Sequence, residues 1–230
     1  MLITIFLLKY ITNIIPIMSH DKFYTDLMQI WKNGGKDGTE GGWAGIYYGV
    51  FNKVVKENNF KNVAEVGIGY GFHAKYILDG TNVDKLYLID PMKWYPNDSF
   101  ATDVMKYGGF EKLVKNIKLN LKPYEDRYTW FRKSSTEVTT TEIPDNSLDA
   151  VFIDADHSYS AVKADLHFWW KKVKNGGWVL GDDYSQTVFG VKRAVDEFVN
   201  QYDLGLEFLY KENGLQHYPI YKIIKNKEIN

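Results

Sequence analysis

Two adjacent carboxylates, Asp182 and Asp183, close the stretch GGWVLGDDYSQ at residues 176–186, directly behind an apolar run. About 4 Å apart, two such charges repel by roughly 1 kcal/mol in water and by several times that near a low-dielectric interior. A cation, a shared proton or solvent has to offset that repulsion. A second acidic end occurs in VFIDADHSY, where Asp154, Asp156 and His157 follow another apolar run. If the two runs are neighbouring parallel strands, their carboxyl ends share one edge of the sheet, where open α/β sheets bind ligands. Asp154, Asp182 and Asp183 then converge as oxygen-only donors suited to a hard divalent cation, Mg²⁺ first, with Mn²⁺ and Ca²⁺ as alternatives. The plainer alternative sends Asp182 and Asp183 to opposite faces, one solvated and one capping the next helix at Ser185.

A third stretch, AEVGIGYGFHA, runs from an apolar segment through Gly67, Gly69 and Gly71 into a helical pattern. Backbone N–H groups at such a turn can approach an anionic ligand closely, which predicts a cofactor. The dinucleotide fingerprint G-x-G-x-x-G is not met, because Phe72 stands at its third glycine, and this argues against NAD. In LYLIDPM, Asp90 ends the next apolar run, where an acid can hydrogen-bond a ribose diol. The glycines alone would also fit an ordinary tight turn, with Asp90 as a helix cap.

The elements that position these residues alternate along the chain. NVAEVGI, KLYLID, YTWFRK, LDAVFID and GGWVLGDD read as strands, and helical patterns fall between them at Phe110–Leu121, Val162–Val173 and Val188–Tyr202. Two helices carrying Phe23, Leu27, Tyr47 and Phe51 come first. GLEFLYK and HYPIYKII, separated by a short stretch with ENG that leaves no room for a helix, predict a closing antiparallel hairpin. The expectation is an α/β fold with a doubly wound, mostly parallel sheet, and residues 91–109 are expected to be a lid or substrate loop.

The chain has 230 residues, 45% of them apolar, which suits one domain over residues 18–230. The apolar start MLITIFLLKYITNIIPI is broken by Lys9, Asn13 and Pro16. It is too short for a bilayer span and lacks signal-peptide features, so residues 1–17 are expected to be an extension outside the fold. With 28 basic and 29 acidic residues interspersed, no nucleic-acid partner is expected. The absence of cysteine excludes disulfides and thiolate metal sites and favours a cytoplasmic location. A homodimer is admitted but not required.

EVGIGYG, IDP and LDAVFID together resemble the successive cofactor motifs of the class I S-adenosylmethionine-dependent methyltransferases, over roughly residues 40–224. The resemblance implies a seven-stranded sheet with an antiparallel last strand. It places Glu65 at the methionine amino group, Gly67 and Gly69, with Gly71, along the cofactor backbone, Asp90 at the ribose, and Ser134 or Ser135 of FRKSSTE at the adenine edge. Asp154 counts in both the cofactor and the metal set. The pattern IDAD…GDDY further resembles the Mg²⁺-dependent sugar O-methyltransferases and, more distantly, the catechol type. That implies a sugar hydroxyl of a glycan or glycoside as acceptor, with a small phenol as runner-up; a silent cofactor-binding module is the competing reading of another class, and the intact acidic set argues against it. In the sugar enzymes the second acid of D-x-D is the proposed base, here Asp156. His157 beside it departs from the pattern and is a second candidate. Trp43, Trp94, Tyr95 and Tyr184 could stack on an acceptor ring but are expected to be packing residues, since 16% of the chain is aromatic. His73 is expected at a helix start and His167 on the surface.

Overall fold

A computed structural model describes residues 19–32, 43–95, 99–185, 190–209 and 219–229. Its strands are β1 (Asn62–Val66), β2 (Lys85–Ile89), β3 (Tyr128–Phe131), β4 (Leu148–Ile153), β5 (Val173–Gly181), β6 (Glu207–Leu209) and β7 (Ile220–Ile224). Its helices are α1 (Lys22–Lys32), α2 (Trp43–Glu57), α3 (Phe72–Gly80), α4 (Ser99–Lys106), α5 (Phe110–Leu121), α6 (Tyr159–Lys172) and α7 (Val191–Gln201). The seven strands form one sheet in the order β3-β2-β1-β4-β5-β7-β6. β1 to β5 pair in parallel, and β7 runs antiparallel to both β5 and β6.

Alternation along β1 explains the two layers, because successive side chains leave opposite faces. Val63 joins Leu86, Leu88, Ala150 and Phe152 under helices α1 to α5. Ala64 and Val66 join Val151, Ile153 and Val179 on the other face, under Trp169 and Trp170 of α6 and Phe198 of α7. β4 is buried at every position, as a strand covered on both faces must be. The direction of winding reverses between β1 and β4, the switch point at which open α/β sheets form their ligand crevice beyond the carboxyl ends of the strands.

The expected sheet, closing hairpin and two leading helices are all present. One expectation is corrected: the segment 91–109 is not a plain loop, since Ser99–Lys106 is helix α4, with Ala101 and Val104 buried. Ala101 and Val104, three residues apart, turn one face of this short stretch into the core. β5 also begins earlier than GGWVLGDD, at Val173, and its register against β4 shifts between Leu148 and Ala150 around the two glycines. Residues 1–17, Val188 and the middle of the expected lid lie outside the described residues. Among those described, no helix is long and apolar enough to cross a membrane.

Candidate active site

Strand register alone gathers the acids. Leu88, Glu65, Phe152 and Leu180 stand side by side across β2, β1, β4 and β5. Two residues further along each strand, on the same side of the pleat, come Asp90, Gly67, Asp154 and Asp182. The ladder continues to this second row: Gly67 N–H donates to the Ile89 carbonyl at 2.9 Å, Asp154 N–H to Val66 at 2.8 Å and Asp182 N–H to Ile153 at 3.2 Å. Three carboxylates and the first glycine of the turn thus line the carboxyl edge at the switch point.

The glycine turn separates into distinct roles. Gly67 has φ +83° and no room for a side chain, since a Cβ would lie 2.0 Å from the Asp154 carbonyl oxygen. Gly71, at φ +73°, caps α3 against the Ile117 side chain. Gly69 differs, because its φ is +48° and a Cβ there would meet no atom within 4 Å, so its outer side is open. Asp90 braces the turn: Oδ2 accepts the Ile68 N–H at 3.0 Å and Oδ1 the Met92 N–H at 2.8 Å. Burial pushes the Asp90 pKa up, against the pull of these backbone bonds and with a further push from the Glu65 charge. Glu65 itself is buried and faces His73.

At the other side of the crevice the His157 ring stands between two carboxylates. Its Nε2 is 3.0 Å from Asp154 Oδ1 and its Nδ1 is 3.2 Å from Asp183 Oδ2. Asp154, His157 and Asp183 each offer one donor atom within 4.8 Å of the others. Asp183 reaches this position because its backbone turns left-handed, at φ +58°, so simple strand alternation does not decide where it points. Asp182 folds back so that its Oδ1 accepts the Asp183 N–H at 2.8 Å. Burial, then the charges of Asp154 and Asp183, hold the Asp182 carboxyl well above the usual range. Burial of the His157 ring pulls its pKa down, but the Asp154 hydrogen bond and the charges of Asp154, Asp183 and Asp182 outweigh it and raise the value. When protonated, the imidazole is a counter-charge for Asp154 and Asp183.

Asp156 goes elsewhere. It is exposed, and its Oδ1 accepts the Ser158 N–H at 2.8 Å, while Ser158 caps α6. Ser134 closes a capping box with Glu137, and Ser135 donates its hydroxyl to Asp165 and accepts from Trp169 Nε1, so both hydroxyls have structural partners. Tyr184 donates to Asp196, whereas Trp94 and Tyr95 are exposed beyond β2. The Trp43 side chain lies outside the described residues. His73 does start a helix but is buried, and His167 packs against Phe198 and Tyr202 instead of lying on the surface.

Two buried groups near the acids escape a sequence reading. Asp165 of α6 has its pKa pushed by burial up to about 6. Tyr221 of β7 crosses Gly181, and its buried hydroxyl, without a hydrogen-bond partner among the described residues, feels the charges of Asp165, Asp154 and Asp182. The signal for Tyr221 was Gly181, its register partner on β5.

These shifts have one direction. A histidine raised in the fold stabilises it fully below the usual value of 6.5 and loses that contribution as pH rises through the folded value. Asp182 and Asp165, raised above 3.8, lose stability in the same sense as they ionise. The metal-free protein is therefore expected to melt higher at about pH 5.5 than at about pH 8, and His157→Gln to narrow the gap. Calorimetric melting in chelator checks this; an unchanged gap in the variant overturns the assignment.

A family model described as a methyltransferase domain matches residues 64–184. An uncharacterized protein of Acanthamoeba polyphaga mimivirus is 34% identical over 76 residues, 32% of this chain. That stretch is 34% of the viral protein, so the chain spans about a third of this curated relative. Among solved structures, a candidate O-methyltransferase from Klebsiella pneumoniae superimposes with TM-score 0.57 at 14% identity, covering 96% of this chain and 95% of that one. The N-methyltransferase NodS from Bradyrhizobium japonicum, in complex with S-adenosylhomocysteine, gives 0.55 at 11% identity over 90% and 100% of the two chains. The O-methyltransferase NovP gives 0.54 at 19% identity over 77% and 76%. At these identities the structural likeness shows the fold. The family match extends from β1 through the GDDY end of β5, over more than half of the sequence and across every acid of the crevice, so the chain belongs to the methyltransferase-domain family, as a class I S-adenosylmethionine-dependent methyltransferase.

Proposed function

We propose that this protein transfers a methyl group to a hydroxyl oxygen, with a sugar of a glycan or glycoside as acceptor, using a divalent cation and His157. The observation that carries the reading is the His157 ring between Asp154 and Asp183, on the loop whose Asp154 carbonyl packs against Gly67 of the glycine turn. Proton acceptor and methyl-donor cradle are thereby joined.

The residues fit both groups. The open side of Gly69, the braced Asp90 carboxylate and the buried Glu65 suit a nucleoside-bearing cationic amino acid. S-adenosylmethionine supplies a sulfonium-bound methyl that an oxygen nucleophile can displace. Asp154, Asp182 and Asp183 would hold the cation, Mg²⁺ or Mn²⁺, through carboxylate oxygens; Asp154 and Asp183 already present oxygens within 4.8 Å of each other, whereas Asp182 Oδ1 accepts the Asp183 N–H. A divalent cation lowers the pKa of an adjacent hydroxyl and orients its oxygen.

His157 takes the hydroxyl proton at Nδ1 of its neutral form, where the hydroxyl replaces Asp183, while Nε2–H donates to Asp154, which fixes the ring and stabilises the imidazolium that results. Because His157 acts in its neutral form, the rate should climb as rising pH takes the proton from its imidazolium. Asp156 is too exposed and too committed to the Ser158 turn for this task. Glu65 and Asp90 bind the donor and, with the glycine turn, hold its methyl toward the acceptor oxygen.

A labelled-methyl screen of glycosides, nucleotide sugars and catechols, with and without EDTA, tests the reading. Labelling of sugar hydroxyls that stops in EDTA and resumes with Mg²⁺ or Mn²⁺ supports it. Catechol preference moves the acceptor to the phenol class. Turnover indifferent to EDTA removes the cation, and donor binding without any turnover leaves a silent module.

A further inference from the structure

The mechanism above leaves His73 without a task, although it is among the most deeply buried polar residues of the molecule. Glu65 and His73 are 2% and 3% exposed, and His73 Nδ1 stands 3.0 Å from Glu65 Oε1. The ring is walled by Phe51, at 5.8 Å between centroids, and by Phe152, edge-on at 5.2 Å. The other carboxylate oxygen, Glu65 Oε2, is buried and has no hydrogen-bond partner among the described residues.

A buried carboxylate oxygen without a donor is costly and is rarely retained unless a ligand or an ion completes it. Three features say what kind of group that is. Glu65 lies on the same side of the pleat as Asp90, in register with Leu88 two residues before it. Burial raises the Asp90 carboxyl pKa and the Glu65 charge adds to that, so the two acids are near enough to repel. The glycine turn with its open side at Gly69 begins two residues after Glu65. The missing partner is a cationic hydrogen-bond donor, and on the donor reading above, on which this inference rests, it is the ammonium of the methionine moiety.

We infer that His73 is a positioning residue for the methyl donor: by donating Nδ1–H to Glu65 Oε1 it fixes the carboxylate plane and reserves Oε2 for the donor's ammonium. A glutamate terminal torsion is broad and roughly two-fold, so a carboxylate without this tie would not keep one oxygen in place. His73 is itself immobile, set on the second residue of α3 and packed between two aromatic rings.

Calorimetric titration with S-adenosylhomocysteine, which carries the same ammonium group, tests this on the full chain. Glu65→Gln and His73→Phe should each weaken binding by about tenfold or more, the scale of a lost charge-assisted hydrogen bond. His73→Asn, whose amide N–H can stand where Nδ1–H stood, should stay within about threefold of the wild type. His73→Phe should add nothing in the Glu65→Gln background, because the two residues act as one unit. If His73→Phe does not fold, His73→Ser, too short to reach Glu65, takes its place with the same expected loss. Wild-type affinity in His73→Phe, equal loss in the asparagine and phenylalanine variants, or additive losses overturn the inference. Failure of the wild type itself to bind S-adenosylhomocysteine would instead overturn the donor reading.

Discussion

His157→Gln is expected to lower methyl transfer by about 10²- to 10⁴-fold while leaving S-adenosylhomocysteine affinity nearly unchanged, the signature of a lost general base. The basis is position. The ring lies against Asp154 and Asp183 at the crevice, its pKa is held up by those acids, and the neighbouring Asp156 is turned outward into the helix-capping turn. Asp156→Asn should accordingly cost less than about tenfold, since an amide oxygen can still accept the Ser158 N–H. Initial rates at saturating donor over a pH series separate the two residues. A large loss in Asp156→Asn with near-normal His157→Gln would return the base to the second acid of D-x-D and reduce His157 to a counter-charge.

That contrast also marks how far the sequence could be read. The sheet was legible because its strands are short apolar runs ended by glycine or acid, as in LYLID and VFID, and because a parallel sheet carries its strand ends to one edge. The convergence of Asp90, Asp154 and Asp182 follows from that geometry and needs only the register. The direction of each side chain was not legible. Asp156 and His157 are adjacent, and which of them faces the crevice depends on an Asx turn to Ser158 that competes with any functional role for the acid. Asp183 points inward through a left-handed backbone that strand alternation cannot foresee. Ser134 and Ser135 look alike in FRKSSTE, yet one belongs to a capping box and the other to a buried Asp165 two elements away. Helix α4 was hidden for a different reason: eight residues give too few turns for periodicity to stand out.

The turn and the acid loop are one packed unit, and Gly67→Ala should show it. Its backbone, at φ +83°, is one that L residues rarely adopt, and the new Cβ would lie 2.0 Å from the Asp154 carbonyl oxygen and 2.8 Å from the Ala155 Cα. Both neighbours are backbone, so neither can swing aside as a side-chain tip would. Left-handed strain of about 1–2 kcal/mol and overpacking of about 1–3 kcal/mol add, so a stability loss of roughly 2–5 kcal/mol is expected. Because the clash falls on Asp154, turnover should fall with stability, as one displacement reaches both the methyl-donor cradle and the acid cluster. Gly69→Ala is the informative partner. Its Cβ meets no protein atom within 4 Å, so only backbone strain opposes it, about 1–2 kcal/mol. The added methyl projects into the open side of the turn, so the Gly69 variant should fold yet bind S-adenosylhomocysteine at least about tenfold more weakly. Denaturant melts and calorimetric titration of the two variants decide the matter together. A Gly69→Ala protein with wild-type affinity would show that the donor does not lie over this turn, and a Gly67→Ala protein of wild-type stability would show that the turn and the Asp154 loop can separate, which would break the link between cradle and proton acceptor on which the transfer reading depends.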